Sequence, residues 1–338
     1  INKIEIDTHD YRRWTVNSIN IITSNSRFVS SRFKNRFNAT ITIIYADNSK
    51  CIYTGRIRHH GDEKDHISLQ GNSIIHLNTG NIRGVTKFKL LRPKTRGVLE
   101  DVVIQTQLLR DLNYLAPRSI KVNARINQAE SIMLFQEKAS KELLEFNNRR
   151  EGPILEGDQK FFFKLEESLP DNQLSNWSVG TPHLTGKSIK TMLAKHTNVN
   201  IENLKKMSYD ALTKLNLAYL YYSNRFKDEK NNFNYFDYDL DNRLLSQFDK
   251  KNTIKLDMYN ILMQSTNSHH GLSPDNRKFY WNALENYFEP INYDSNPNID
   301  AYSPSTTTKI YRLPISEDFF DAFNYLENKI ENIDLLTF

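Results

Sequence analysis

Residues 38–58 alternate apolar and polar positions: Ala39-Thr40-Ile41-Thr42-Ile43-Ile44-Tyr45, a turn at Ala46-Asp47-Asn48, then Lys50-Cys51-Ile52-Tyr53. Strand side chains point alternately to opposite faces, so this period of two predicts a hairpin with one buried face. Ser73–Leu77 and 86–91 predict a second strand pair, with Gly80 and Gly84 punctuating the connection. The period then changes. Over 99–114, Val102, Val103, Leu108, Leu109 and Leu112 recur at mostly helical spacing, Glu100 and Asp101 suit a helix N-terminus, and Pro117 ends the element. Ser119–Ile126 and 131–136 read as two further strands, giving a β-helix-β order in the first half.

After Glu137 the pattern is mostly helical. Residues 138–148 and 316–330 predict helices. The strongest helix is 208–226, with Leu212, Leu215, Leu217, Ala218, Tyr221 and Tyr222 on its core face. A short apolar run occupies 161–165, and 167–200 is polar and weakly patterned. Two aromatic, strand-like runs lie between Asn276 and Asp294. The chain divides on this reading into an N-terminal extension (1–37), a β-rich lobe with one long helix (38–136) and a helical lobe (137–338) whose segment 257–294 holds most candidate chemistry. The class is α+β, with a cleft expected between the two lobes.

Composition narrows the functional classes. At 338 residues, 38% hydrophobic and 12% aromatic, the chain can build a substantial core. No apolar run approaches the roughly 20 residues that span a bilayer, so a soluble protein with no membrane span is expected. Its compartment stays open among cell envelope, coat and secreted. The start at Ile1 rather than Met points to processing or trimming, and the single Cys51 excludes an internal disulfide. The net charge of +5 is modest. Clusters at 56–60, 87–96 and Arg149-Arg150 could meet phosphate or an acidic surface, but no zinc-finger or RNP-type pattern supports nucleic acid as a partner.

Several motifs fail on inspection. Gly186-Lys187-Ser188 lacks the earlier glycine of a P-loop, because Thr181 stands in its place. Asp237-x-Asp239-x-Asp241 opens like a calcium loop, yet Asn242 and Phe248 occupy its glycine and glutamate positions. There is no G-x-G-x-x-G, no zinc spacing and no nucleophile elbow.

Four blocks carry chemistry instead. Gly55-Arg56-Ile57-Arg58-His59-His60-Gly61-Asp62 runs a strand into a cationic turn that could cover phosphates, with Arg58 the candidate; as a bland alternative it is a basic hairpin. In Lys87-Phe88-Lys89-Leu90-Leu91, Lys87 and Lys89 share one strand face, and burying them is costly unless they meet an anion. Glu100 is the candidate carboxylate to orient such a lysine. Gln136-Glu137-Lys138 leads through a charged helix to Arg149-Arg150-Glu151-Gly152-Pro153. This block is either a salt-bridged surface helix or a hinge at Glu137 whose backbone reads a base while Arg149 and Arg150 reach the cleft. Finally, His269-His270-Gly271 leads through Asp275-Asn276-Arg277 to Pro290-Ile291-Asn292-Tyr293-Asp294. An Asn followed about twenty residues later by an Asp at a strand end is how a kinase-like site holds magnesium on a nucleotide, with His270 as a nearby imidazole.

In this order, the blocks resemble the CotH family of spore-coat-type protein kinases over roughly 40–300. The resemblance implies a two-lobed, atypical protein-kinase-like fold, with a β-rich N-lobe and a mainly helical C-lobe, binding ATP with Mg2+ or Mn2+. It makes Lys89 the phosphate lysine with Lys87 as fallback, Asn276 and Asp294 the metal ligands, Asp257 or Asp275 the general base, and a protein Ser or Thr the acceptor. Two features depart from the family: Ser295 stands where a glycine often follows the metal-binding Asp, and nineteen residues separate Asp257 from Asn276. A competing expectation is a catalytically inactive surface or coat protein that binds an acidic polymer or a protein partner. The oligomeric state is left open.

Overall fold

The computed structural model describes residues 1–26, 28–67, 71–95, 98–157, 191–193, 202–228, 240–273, 276–299 and 318–333. They divide into two compact units. The first comprises Ile1–Val103 and Pro117–Lys138; the second comprises Ile104–Ala116, 139–157 and the described residues from 191 onward.

Seven strands build the first unit: β1 (Lys3–Thr8), β2 (Phe37–Ile44), β3 (Lys50–His59), β4 (Ser73–Leu77), β5 (Lys87–Leu91), β6 (Ser119–Ile126) and β7 (Ala129–Glu137). They form a closed barrel in the order β1-β2-β3-β4-β5-β7-β6. β1 runs antiparallel to β2 and parallel to β6, with Ile4 opposite both Ile43 and Ala124, and this parallel pairing closes the wall. Alternation then fills the interior with one residue in two: Ile4 and Ile6, Ala39, Ile41 and Ile43, Ile57, Ile75, Phe88 and Phe135 are buried together. Each fully buried large side chain contributes about 2–3 kcal/mol. Gly55 is required by close approach, since a Cβ there would lie 2.5 Å from the His76 carbonyl oxygen and 2.7 Å from Ile41 Cδ1.

The barrel corrects the expected two-lobed kinase-like fold. A β-rich N-lobe was expected over 38–136, after an N-terminal extension, but β1, within residues 1–37, supplies the strand that joins the two edges. Nor is the remainder mainly helical in the expected sense. The described residues hold seven α-helices over the whole chain, and the second unit has a sheet of its own.

Helix α1 (Tyr11–Thr23) is capped by Asp10, whose carboxylate accepts from the Arg13 N–H at 3.0 Å. It delivers Trp14 into the barrel core, stacked 4.0 Å from His59 and edge-on to Phe37. His59 is fully buried. The Ser18 hydroxyl donates to the Trp14 carbonyl, so His59 Nε2–H donates to Ser18 Oγ at 3.1 Å, and Nδ1 finds no partner. Burial pushes the His59 pKa down to about 4. The unfolded imidazole protonates below its ordinary value near 6.5 whereas the folded one stays neutral, so stability is complete above pH 6.5 and falls as pH drops toward 4. Between pH 7.5 and 4.5, wild type is expected to lose about 2–3 kcal/mol more than His59→Phe, read from denaturant midpoints at both pH values. Parallel pH dependence in the two proteins would contradict this.

The second unit contains α3 (Lys141–Phe146), β8 (Ile154–Gly157), β9 (Thr191–Leu193), α4 (Glu202–Asp228), α5 (Asn242–Leu245), α6 (Lys250–Ser265), β10 (Lys278–Asn282), β11 (Tyr287–Ile291) and α7 (Phe319–Glu331). Its antiparallel sheet has the order β11-β10-β8-β9. Helix α2 (Leu99–Asp111) has residues in both units: Leu99 and Val102 pack with Leu91 and Leu134 in the first, while Leu109, and Leu112 just beyond the helix, join α6 and α7 residues in the second. Phe279, Trp281 and Phe288 of the sheet pack with Ala211, Leu215 and Ala218 of α4 and with Leu256 of α6.

Arg149 is part of this framework. Its guanidinium forks onto Glu289, with Nε 3.0 Å from both carboxylate oxygens and a terminal nitrogen 2.6 Å from Oε1, and it also donates to the Asn113 and Asn147 carbonyls. Glu289 is 1% exposed. The expectation that Arg149 reaches a cleft is therefore corrected, because its donors are spent on a buried carboxylate. Among the described residues no helix is long and apolar enough to cross a membrane.

Candidate functional site

The β10–β11 hairpin positions the most suggestive cluster. The pairing of its strands ends with Lys278 opposite Ile291, so the residues just before β10 and just after β11, Asn276 and Asp294 among them, lie at one end of the hairpin. The turn His269–Leu272 brings in an imidazole. His270 Nδ1 lies 2.6 Å from the Asp294 carbonyl oxygen, which fixes the proton on Nδ1 and makes Nε2 the basic nitrogen of the neutral ring. The same Nδ1 is 3.9 Å from Asp294 Oδ2, and Asn276 Nδ2 donates to the His270 carbonyl at 3.3 Å. Asn276 and His270, six residues apart, thus meet Asp294 from the other side of the hairpin within the second unit.

Asp294 has φ +50° and Asn296 φ +48°. Left-handed backbone costs an Asp of order 1 kcal/mol or more and persists where the surroundings impose it. Gly271 shows how closely those surroundings approach: a Cβ there would lie 2.8 Å from Met263 Cε and 3.0 Å from Ser295 Cα. A larger residue after His270 would have to displace Met263 Cε and press on Ser295, so glycine lets the two loops approach this closely.

The donor set suits a hard cation. Magnesium takes oxygen ligands, commonly one or two carboxylates completed by phosphate oxygens and water. The Asp294 carboxylate and Asn276 amide oxygen fit that description; the His270 imidazole does not, and it fits proton transfer better. Among the described residues no group of three or more His, Cys, Asp or Glu side chains gathers as a metal cage.

The general-base candidates fare differently. Asp275 lies outside the described residues. Asp257 is buried in α6, 5% exposed, and its Oδ1 accepts from Asn242 Nδ2 at 2.7 Å. A base must reach a substrate hydroxyl, and this burial argues against Asp257. A nearby cavity lined by Tyr259, Asn260, Gly271 and Arg277 has a volume of about 10 Å³, room for one water and far too small for a nucleotide.

In the first unit, Ile57, Ile75 and Phe88 point into the barrel, so Arg58, His76, Lys87 and Lys89 face outward. Lys89 is 3% exposed and Lys87 half-buried. His76 pairs with both Arg56 and Lys87 across the ladder. Burial, reinforced by Lys138, Arg36, Lys87 and Arg58, pushes the His76 pKa down to about 4. Desolvation also lowers the Arg58 pKa, with Arg36 adding to the effect. This outer face is therefore strongly electropositive.

Two other candidates are corrected. Glu100 is exposed and bonded to Lys121 Nζ of β6 at 2.5 Å, which lowers its pKa, so the lysine it holds is neither Lys87 nor Lys89. The buried carboxylate of that helical turn is Asp101, 5% exposed. Glu137 is 2% exposed, and Arg118 grips its carboxylate at 2.7 and 2.9 Å. Its N–H donates to the Arg118 carbonyl and that of Lys138 to Lys87, so these backbone donors complete the barrel rather than read a base.

No protein-family model matches the chain, and no curated protein matches it.

Proposed function

We propose that this chain is an ATP-dependent phosphotransferase working with Mg2+ or Mn2+, of the CotH type in its site chemistry, that phosphorylates a Ser or Thr hydroxyl of a protein. The convergence of Asn276 and Asp294, eighteen residues apart in sequence, beside His270 carries this reading. In it, Asn276 and Asp294 hold the metal, which would neutralise charge on the phosphates. His270, with Nε2 as its basic nitrogen, is the group in this cluster suited to take the hydroxyl proton.

The test compares wild type with Asn276→Ala in calorimetric ATP titrations, with and without Mn2+, and in phosphate transfer to Ser/Thr-containing protein. Metal-dependent binding by wild type, weakened about tenfold or more in the variant, is the expected result. Indistinguishable binding and turnover would sink the proposal. The electropositive face around His76 favours a second reading, a non-catalytic binder of an acidic polymer. Salt-sensitive polymer binding without any ATP-induced thermal shift would select it.

A further inference from the structure

Gln105 stands on α2 in the second unit, 1% exposed, and every hydrogen-bonding capacity of its amide is engaged. The Ser295 hydroxyl donates to Oε1 at 2.7 Å, and Asn292 Nδ2 approaches the same oxygen at 3.4 Å. On the other side, Nε2 donates to Thr266 Oγ1 at 2.9 Å and to Ser268 Oγ. The donor inventory closes. Thr266 gives its own proton to the Leu262 carbonyl and Ser268 can give its proton to the Thr266 carbonyl, so both oxygens accept from the Gln105 NH2 group.

The two sides of this amide are the two loops of the site. Ser295 follows Asp294 directly, and Ser268 opens the turn that carries His269 and His270. The Asn298 N–H adds a bond to the Thr266 carbonyl at 3.1 Å, and Gly271 leaves room for Ser295 to pass. We infer that Gln105 is a positioning residue: its buried amide locks the backbone at Asp294 to the turn bearing His270, and so sets the separation of the metal-binding carboxylate from the imidazole. Ser295 is the partner that makes this lock, which gives a role to a serine where a glycine would have none. The inference rests on the reading of Asn276, His270 and Asp294 given above.

The decisive measurement is Mn2+ affinity, titrated by electron paramagnetic resonance in the presence of ATP, set against ATP affinity without metal. Gln105→Leu is expected to weaken Mn2+ binding by about tenfold or more, while metal-free ATP affinity stays within about twofold of wild type. A merely structural role would lower both affinities together or neither. Because Gln105→Leu leaves buried hydroxyls without a partner, Ser295→Ala serves as the milder variant, expected to shift Mn2+ affinity in the same direction, and it decides the matter if Gln105→Leu does not fold. A folded variant with wild-type Mn2+ affinity overturns the role of Gln105 while leaving the phosphotransferase reading intact. Wild type that binds no Mn2+ with ATP overturns that reading, and the positioning role falls with it.

Discussion

Asp294→Asn is expected to cut metal-dependent phosphate transfer by about a thousand-fold, equivalent to about 4 kcal/mol of transition-state stabilisation, while changing the melting temperature by no more than a few degrees. Asparagine preserves the shape of the side chain and tolerates the left-handed backbone seen at this position, so the fold has little reason to change. What it removes is the negative charge, and a hard divalent cation depends on anionic oxygen far more than on an amide. Alanine would be a poorer choice, since it adds strain at φ +50° to the loss of the ligand. Single-turnover transfer, with a thermal melt on the same preparation, separates the two effects. Unaltered transfer in a well-folded Asp294→Asn protein would remove Asp294 from the site.

The largest effect on stability is expected at Arg149. Replacing it with leucine strands the Glu289 carboxylate, 1% exposed, without its cation, and also leaves the Asn113 and Asn147 carbonyls short of a donor. Breaking a buried pair from one side costs about 3–5 kcal/mol, far more than the net worth of the intact pair. Urea unfolding of Arg149→Leu should show a loss of this size. Removing the stranded charge as well, in Arg149→Leu with Glu289→Leu, should recover a large part of it. A single mutant within about 1 kcal/mol of wild type would show that Glu289 finds water or another partner.

Strands such as β2 and β6 were legible because each buries one face against the barrel core, which writes period two into the chain; β2 shows it in Phe37, Ala39, Ile41 and Ile43. The closing role of β1 was not legible. Its own alternation is plain, but its parallel partner β6 lies far along the sequence and no local pattern announces the pairing. Helix α6 escaped notice for the opposite reason. Leu256 faces one core and Met258, Tyr259, Leu262 and Met263 another, while Asn252, Asp257 and Asn260 are buried too, so no polar stripe marks its outside.

The site shows the same division. Asn276, His270 and Asp294 could be picked out because a hairpin returns its two ends to one place, and spacing alone reports that. Glu100 and Asp101 both suit a helix N-terminus, and that pattern does not separate them. Only the phase of the helix, with Leu99 and Val102 on the core side, decides which carboxylate is buried. Gln105 carried no signal at all, since an isolated glutamine on a helix is unremarkable until the loops it bonds are in place.

The parallel closure of the barrel also has a consequence for the timing of synthesis. Lys3 lies opposite Asn123, and 123 − 3 = 120 residues must follow the first strand before its partner exists. At roughly 5–20 residues per second, β1 waits about 6–24 s after emerging before it can meet β6. For that interval β2 can hold its other edge, but Ile4 and Ile6 have no completed interior to enter. The strand of the barrel that is made first is thus among the last to be secured, and a nascent chain stalled before β6 would present an unpaired, isoleucine-bearing strand to whatever protein lies nearest.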